Sequence, residues 1–351
     1  MFLERIIQNS SIDEEIVMKI TIADIARMAN VSKATVSRVI NNKPEGVSKE
    51  TRENILRIIK ESGFQPSMVA RGLVTKKTKS IGLIITDIAN SFYPLLVRGV
   101  EDYANKYGYS LFLCNSDNNP EKEKGYINAF IEKSVDGVIL SSSMNETSFH
   151  YNILKSKNIP LVVLDRCVEG DQYDASVFFD NTKGAYIAAN YLVNRGHKKI
   201  VFISGPKSLI ISRHRLDGYC MALEEKNIEI DEDIIVEGDF QFDSGYNRII
   251  ELLDKGKEFT AIFACNDLMA IGAIMALKSR NIEVPKQVEI IGFDNVDISR
   301  YIEPQLSTVG QPAYEMGVEG AKQLIKLIEG KKISNKDIIL KPNLVLRETT
   351  I

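Results

Sequence analysis

The sequence predicts an α/β protein in which an all-α helix-turn-helix headpiece precedes two subdomains built on doubly wound parallel sheets. Three observations carry this reading. Between Thr21 and Gly63, apolar residues recur at helical spacing behind good cap residues; from Ser80 onward, short β-rich runs alternate with amphipathic stretches; and those runs fall into two successive series. With 351 residues, of which 44% are hydrophobic, the chain can bury a large core and is too long for one small domain.

Thr21 followed by Asp24 forms a capping arrangement for a first short helix carrying Ile22, Ile25, Ala26 and Ala29. Ala29 to Val31 make a turn, and Ser32 caps a second helix running to about Ile40. Two short helices across a three-residue turn form the helix-turn-helix signature. Ser48 caps a third helix to about Ser62, with Ile55, Leu56, Ile58 and Ile59 available to cover the first two and Gly63 closing it. On a wheel of 100° per residue, Val36, Val39 and Ile40 share the core side of the second helix. Lys33, Ala34, Ser37 and Arg38 share the other, a short cationic face suited to a major groove or, in the plainer reading, to solvent.

Charge favours the groove. The whole chain has a formal charge of −3, but residues 18–79 hold thirteen basic side chains against five acidic ones, a net of about +8 that leaves about −11 for the remainder. The stretch from Phe64 to Ser80 is basic and oddly apolar for a linker, as expected of a segment that folds on DNA and offers Leu73 as a minor-groove wedge.

The segment "TIADIARMANVSKATVSRVINNKPEGVSKETRENILRIIKESGFQPSMVARGL" resembles the headpiece of the LacI/GalR family of bacterial transcription regulators. The resemblance implies base-reading positions at Lys33, Ala34 and Arg38, supporting ones at Thr35 and Ser37, and hinge contacts at Ala70, Arg71 and Leu73. Ser67 departs from the asparagine the family often carries after the proline. Residues 1–17 precede the family's usual start and are read as a disordered extension or a mis-assigned start. Residues 18–64 are assigned to DNA binding, 65–79 to a hinge helix or linker, and 80–351 to effector binding and dimerisation.

In the body, the strand candidates are 80–86, 109–115, 136–142 and 159–165, then 199–205, 233–239, 260–266 and 288–294, with helical runs at 94–107, 182–195 and 313–329. Two such series give two sheets with a ligand cleft at the strand C-termini. The family resemblance adds a periplasmic-binding-protein-like core with crossovers near Asp180, Gln311 and Lys341. It places the N-subdomain at about 80–180 and 312–341, and the C-subdomain at about 181–311 and 342–351.

Directly after the strand ends stand Asn90, Phe92, Tyr93, Asp165, Arg166, Arg215, Phe240, Asn266, Asp294 and Gln311, with Asp267 beside Asn266 in "CND". Carboxylates, amides and arginines bond vicinal hydroxyls, and aromatic faces cover the C–H surface of a ring. Singly, Asp165 or Asp294 could cap a helix and Phe240 could be core. Together the set resembles the pocket of ribose-binding proteins and ribose repressors, which implies a pentose effector. Two sister branches fit less well: the purine repressor's corepressor-gripping arginine would fall at Leu209, and Glu303 replaces an arginine of the branch that docks a phosphorylated carrier protein.

The expectation is therefore a homodimeric cytoplasmic repressor of a sugar-utilisation operon that binds double-stranded DNA at a pseudo-palindromic operator under control of a pentose. No cofactor, metal or membrane is expected. A regulator of the same family answering to another sugar, a purine or a carrier protein is the alternative, and a sugar transport receptor is a remoter one. An enzyme is disfavoured because no G-x-G-x-x-G follows the first strand, no P-loop occurs, and His150, His197 and His214 share no ligand spacing. Cys114, Cys167, Cys220 and Cys265 lie far apart and read as reduced thiols. No heptad tail follows "IILKPNLVLRETT", so tetramerisation by a C-terminal coiled coil is not expected.

Overall fold

Cap residues set the headpiece. In the computed structural model, which describes residues 20–41, 45–64, 77–142, 148–166 and 172–351, α1 (Ile22–Met28) opens on a complete capping box. The Thr21 amide donates to Asp24 Oδ2 at 3.0 Å and the Asp24 amide to Thr21 Oγ1 at 3.4 Å. The turn passes through Asn30 in the left-handed region, a conformation asparagine tolerates. Ser32 accepts the Thr35 amide at 3.1 Å to start α2 (Lys33–Ile40), and Ser48 accepts the Thr51 amide at 3.1 Å to start α3 (Lys49–Ser62). Gly63, at φ 64°, ends α3 as the sequence predicts. Ile25, Val36 and Ile55 are fully buried at the centre of the three helices. Leu56 is a correction: instead of covering the other helices it stands 45% exposed, because one 100° step from Ile55 carries it off the buried face.

The chain divides between Thr78 and Lys79, and the second unit holds two lobes. One sheet has the strand order β11-β5-β4-β3-β1-β2, from β1 (Ser80–Ile85), β2 (Ser110–Asn115), β3 (Gly137–Leu140), β4 (Leu161–Asp165), β5 (Ala175–Phe179) and β11 (Asp337–Leu340). The other has the order β12-β10-β9-β8-β6-β7, from β6 (Ile200–Ser204), β7 (Ile235–Glu237), β8 (Ala261–Ala264), β9 (Glu289–Asp294), β10 (Ser307–Gly310) and β12 (Asn343–Val345). All pairings are parallel except β10 with β12. The central strands are buried on both faces, which explains their uninterrupted apolar runs. The α/β class with two parallel sheets is as the sequence predicts; β5, β10, β11 and β12 were not among its strand candidates.

The chain passes from the first lobe to the second after β5, returns after β10, and passes over again after β11. The last passage ends in buried anchors: the Ile290 amide donates to Thr349 O at 2.9 Å, and Thr349 Oγ1 donates to Ile290 O at 2.7 Å. In the first lobe, α4 (Phe92–Lys106) packs on α11 (Ala313–Ile328) at backbone contact. A Cβ on Gly99 would lie 2.1 Å from Tyr314 O, and one on Gly317 2.1 Å from Leu96 O. On the same helix Val100 is fully buried and Leu95 partly exposed. Remaining helices are α5 (Pro120–Glu132) and α6 (Ser148–Ser156) in the first lobe and α7 (Asn181–Asn194), α8 (Ile210–Glu224), α9 (Phe242–Asp254) and α10 (Asp267–Ser279) in the second. No helix among the described residues is long and apolar enough to cross a membrane.

Candidate functional site

Two surfaces carry the residues singled out from sequence. On the headpiece, Lys33, Ala34 and Arg38 are exposed on one side of α2, with Thr35 and Ser37 half-buried at its margins. Ser37 is held in place, its oxygens accepting from Asn41 Nδ2 at 2.9 Å (carbonyl) and 3.3 Å (hydroxyl). Arg38 reaches the turn before α3, where a Cβ on Gly46 would meet its Nη1 at 3.2 Å. Ala70, Arg71 and Leu73 lie outside the described residues.

Between the lobes of the core, nine of the ten residues of the ribose-pocket set line one cavity: Asn90, Phe92, Tyr93, Asp165, Arg166, Arg215, Phe240, Asp294 and Gln311. Parallel strands all point their C-termini at the cleft, so a residue following any strand is delivered there. Ile211, which sequence reasoning missed, completes the lining. It precedes Arg215 by one helical turn, and that spacing was the available signal. Asn266 is not in the lining. Its Oδ1 accepts the Met269 amide at 2.9 Å, capping α10, and its Nδ2 donates to Phe240 O at 2.8 Å. Backbone geometry marks the same strand ends, since Asp165 (φ 64°), Phe240 (φ 69°) and Asp294 (φ 112°) all occupy positive φ. Such backbone costs on the order of 1 kcal/mol each and persists where the surroundings enforce it.

The cavity wall is charged and buried. Tyr93 OH donates to Asp165 Oδ2 at 3.0 Å and accepts from Thr86 Oγ1 at 2.6 Å. Burial pushes the Tyr93 phenol up to about 12, so it stays a donor at neutral pH. Burial likewise raises Asp165, opposed by the guanidinium groups of Arg166 and Arg215. Arg215 Nε donates to Asn181 Oδ1 at 2.8 Å, its Nη1 donates to the Cys265 carbonyl, and its guanidinium lies 3.8 Å from the centre of the Phe293 ring. Desolvation lifts Asp294 to about 7, although Arg215 stands 4.0 Å away and Gln311 Nε2 donates to it at 2.6 Å. Asp267, beside Asn266 at the same strand end, does not line the cavity either: its Oδ2 accepts the Val296 amide at 2.8 Å and its Oδ1 accepts from Thr308 Oγ1 at 2.5 Å, and its carboxyl is raised by the same burial and by the neighbouring Asp294.

Arg166 Nε and Nη1 and Gln311 Oε1 are buried without a hydrogen-bond partner. A buried polar atom left unpaired costs about 1–3 kcal/mol. Three such atoms on one cavity wall, with both donors and acceptors represented, define a site shaped for a small polar molecule. Phe92 and Phe240 supply the apolar surface. Among the described residues no group of three metal-ligating side chains occurs.

Comparison with known proteins covers both the headpiece and the core. A profile of bacterial regulatory proteins of the lacI family matches residues 21–67, and one of the periplasmic binding protein-like domain matches residues 189–350. Catabolite control protein A of Priestia megaterium is 40% identical over 334 residues, 95% of this chain and 100% of that protein. The ribose operon repressor of Halalkalibacterium halodurans is 40% identical over 330 residues, 94% of this chain and 97% of that one. The HTH-type transcriptional repressor PurR of Histophilus somni is 39% identical over 331 residues, with 94% and 98% covered. Among solved structures, the lac repressor dimer bound to operator and the anti-inducer ONPF superposes with a TM-score of 0.85 at 28% identity, covering 95% of this chain and 99% of that one. A regulator from Enterococcus faecium with bound ribose gives 0.70 at 30% identity, covering 77% and 98%. These relatives are transcriptional regulators and not enzymes. Matched from its headpiece to its last strand, this chain belongs to the lacI family of bacterial transcriptional regulators.

Proposed function

We propose that the protein is a homodimeric, cytoplasmic repressor of a sugar-utilisation operon whose cleft binds a pentose, ribose or a close relative. Two headpieces related by a two-fold axis read the half-sites of a pseudo-palindrome through Lys33, Ala34 and Arg38. Leu73, flanked by Ala70 and Arg71, wedges into the minor groove between them.

The observation that carries the effector reading is the wall of the cavity between the lobes, where Arg166 and Gln311 hold unpartnered atoms beside the carboxylates of Asp165 and Asp294. Vicinal hydroxyls donate to carboxylates and accept from guanidinium groups at once. A relative named for the ribose operon and a family structure holding ribose support the same choice.

In this mechanism the sugar bridges the lobes and shifts them toward closure about the three crossovers, a bias worth about 1–3 kcal/mol between two states of the repressor. The movement reaches the linker at Lys79, which is fixed to the first lobe. Its amide donates to Asp136 Oδ2 at 3.0 Å, and its ammonium sits 4.1 Å above the Tyr109 ring.

Calorimetry with ribose tests the effector. Heat from the unmodified protein, lost in Arg166→Ala, is the expected result; no heat from the unmodified protein removes the pentose. A gel shift on the DNA upstream of the coding region, with a panel of sugars and purines, then separates the pentose from the alternatives named by the other relatives.

A further inference from the structure

The crossovers attach to one side of each sheet, at β5 and β11 in the first lobe and at β10 and β12 in the second. On the other side run β1 and β2 in the first lobe and β6 and β7 in the second. Two side chains meet there. Gln241, four residues after β7, donates from Nε2 to Asp87 Oδ2 at 2.9 Å; Asp87 stands two residues after β1.

Both partners are held in place for the contact. Asp87 Oδ1 accepts the Ala89 amide at 2.9 Å, so the carboxylate is locked in its own turn with Oδ2 turned across the cleft. The Gln241 amide donates to Asp239 Oδ1 at 2.9 Å, and its carbonyl accepts from Ser244 Oγ at 2.9 Å, fixing the start of α9. Neither residue lines the cavity, yet each adjoins its lining: Asn90 follows Asp87 by three positions and Phe240 precedes Gln241. The bond joins the lobes at the mouth, with the cavity between it and the crossovers.

We propose that Asp87 and Gln241 form a latch that holds the cleft shut without touching the ligand, and so sets how much of the protein is closed before effector arrives. A bond that spans the two lobes exists in the closed state alone and is replaced by water on opening. Its strength therefore enters the open–closed equilibrium directly, and the apparent affinity of any ligand of the closed state scales with the closed fraction. Asp87 and Gln241 are positioning residues for the effector response. The inference rests on the cleft being the effector site and not on which effector fills it.

The test uses the full chain without ligand first. Hydrogen–deuterium exchange of Gln241→Ala and Asp87→Ala should speed up at the cleft faces of both lobes, including the backbone at Asp165 and Asp294, which neither substitution touches. Exchange altered only within a few residues of the replaced side chain overturns the latch. With ribose as probe, each single variant should bind about three- to tenfold more weakly, the scale of one hydrogen bond. The double variant should be no weaker than either single one. Additive losses overturn the proposal. If ribose binds no form of the protein, the pentose reading fails while the exchange result still decides the latch.

Discussion

The Asp294 carboxyl is buried, 4.0 Å from Arg215, and lifted to about 7 from an ordinary value near 3.8. Between those two values the folded protein holds a proton the unfolded chain has lost, so this group's contribution to stability is full below about pH 4 and is lost as pH rises through 7. Asp294→Asn keeps a partner for Gln311 and removes the charge. Its melting temperature should exceed the parent's at pH 8, with the gap closing toward pH 4, while ribose binding is lost; parallel pH–stability curves would show that the carboxyl does not titrate in this range. The opposite arrangement holds at Arg38, an exposed cation whose value lies in what it meets. Arg38→Ala should cost about 1–3 kcal/mol on the operator and relax one base position per half-site, leaving random DNA nearly unaffected. Equal loss on both DNAs, measured by titration at fixed salt, would make Arg38 a phosphate clamp.

Helices show where sequence is legible and where it stops. Ser32, Ser48 and Gly63 act as predicted because caps are local: the bonded atoms lie within three residues of each other, or the residue's own φ decides. Strand ends were legible for a related reason, since parallel topology brings every one of them to the same edge; hence nine scattered residues share one cavity. Leu56 failed because four apolar residues in five positions of α3 do not state which arc faces inward. β10, β11 and β12 are only three or four residues long, β11 and β12 are half-exposed, and β11 pairs with β5 across some 160 residues of chain. Helix contacts through glycine were equally hidden. Gly99→Ala drives a methyl group against the Tyr314 carbonyl and should destabilise by about 1–3 kcal/mol. Gly125, inside α5 with nothing within 4 Å of a Cβ, is the contrast: Gly125→Ala should stabilise by about 0.5–1 kcal/mol. Chemical denaturation of the two variants side by side checks both signs.

Across the whole molecule, an acidic body carries a basic headpiece, so the average charge of −3 conceals the region that meets a polyanion. The two lobes are likewise not successive halves of the chain. Each is completed by segments that arrive after the other has begun, and the final passage delivers β12 beside β10 and Thr349 beside Ile290. A premature stop after Leu340 would remove eleven residues, 341–351, from a chain of 351. It would strip the strand that flanks β10, whose end leads into Gln311 and the cavity wall, and expose the edge of a buried sheet. Lesions in the codons for residues 341–351 should therefore be as damaging as lesions in those for the buried central strands, and a reporter placed after this segment needs a spacer rather than a cut into it.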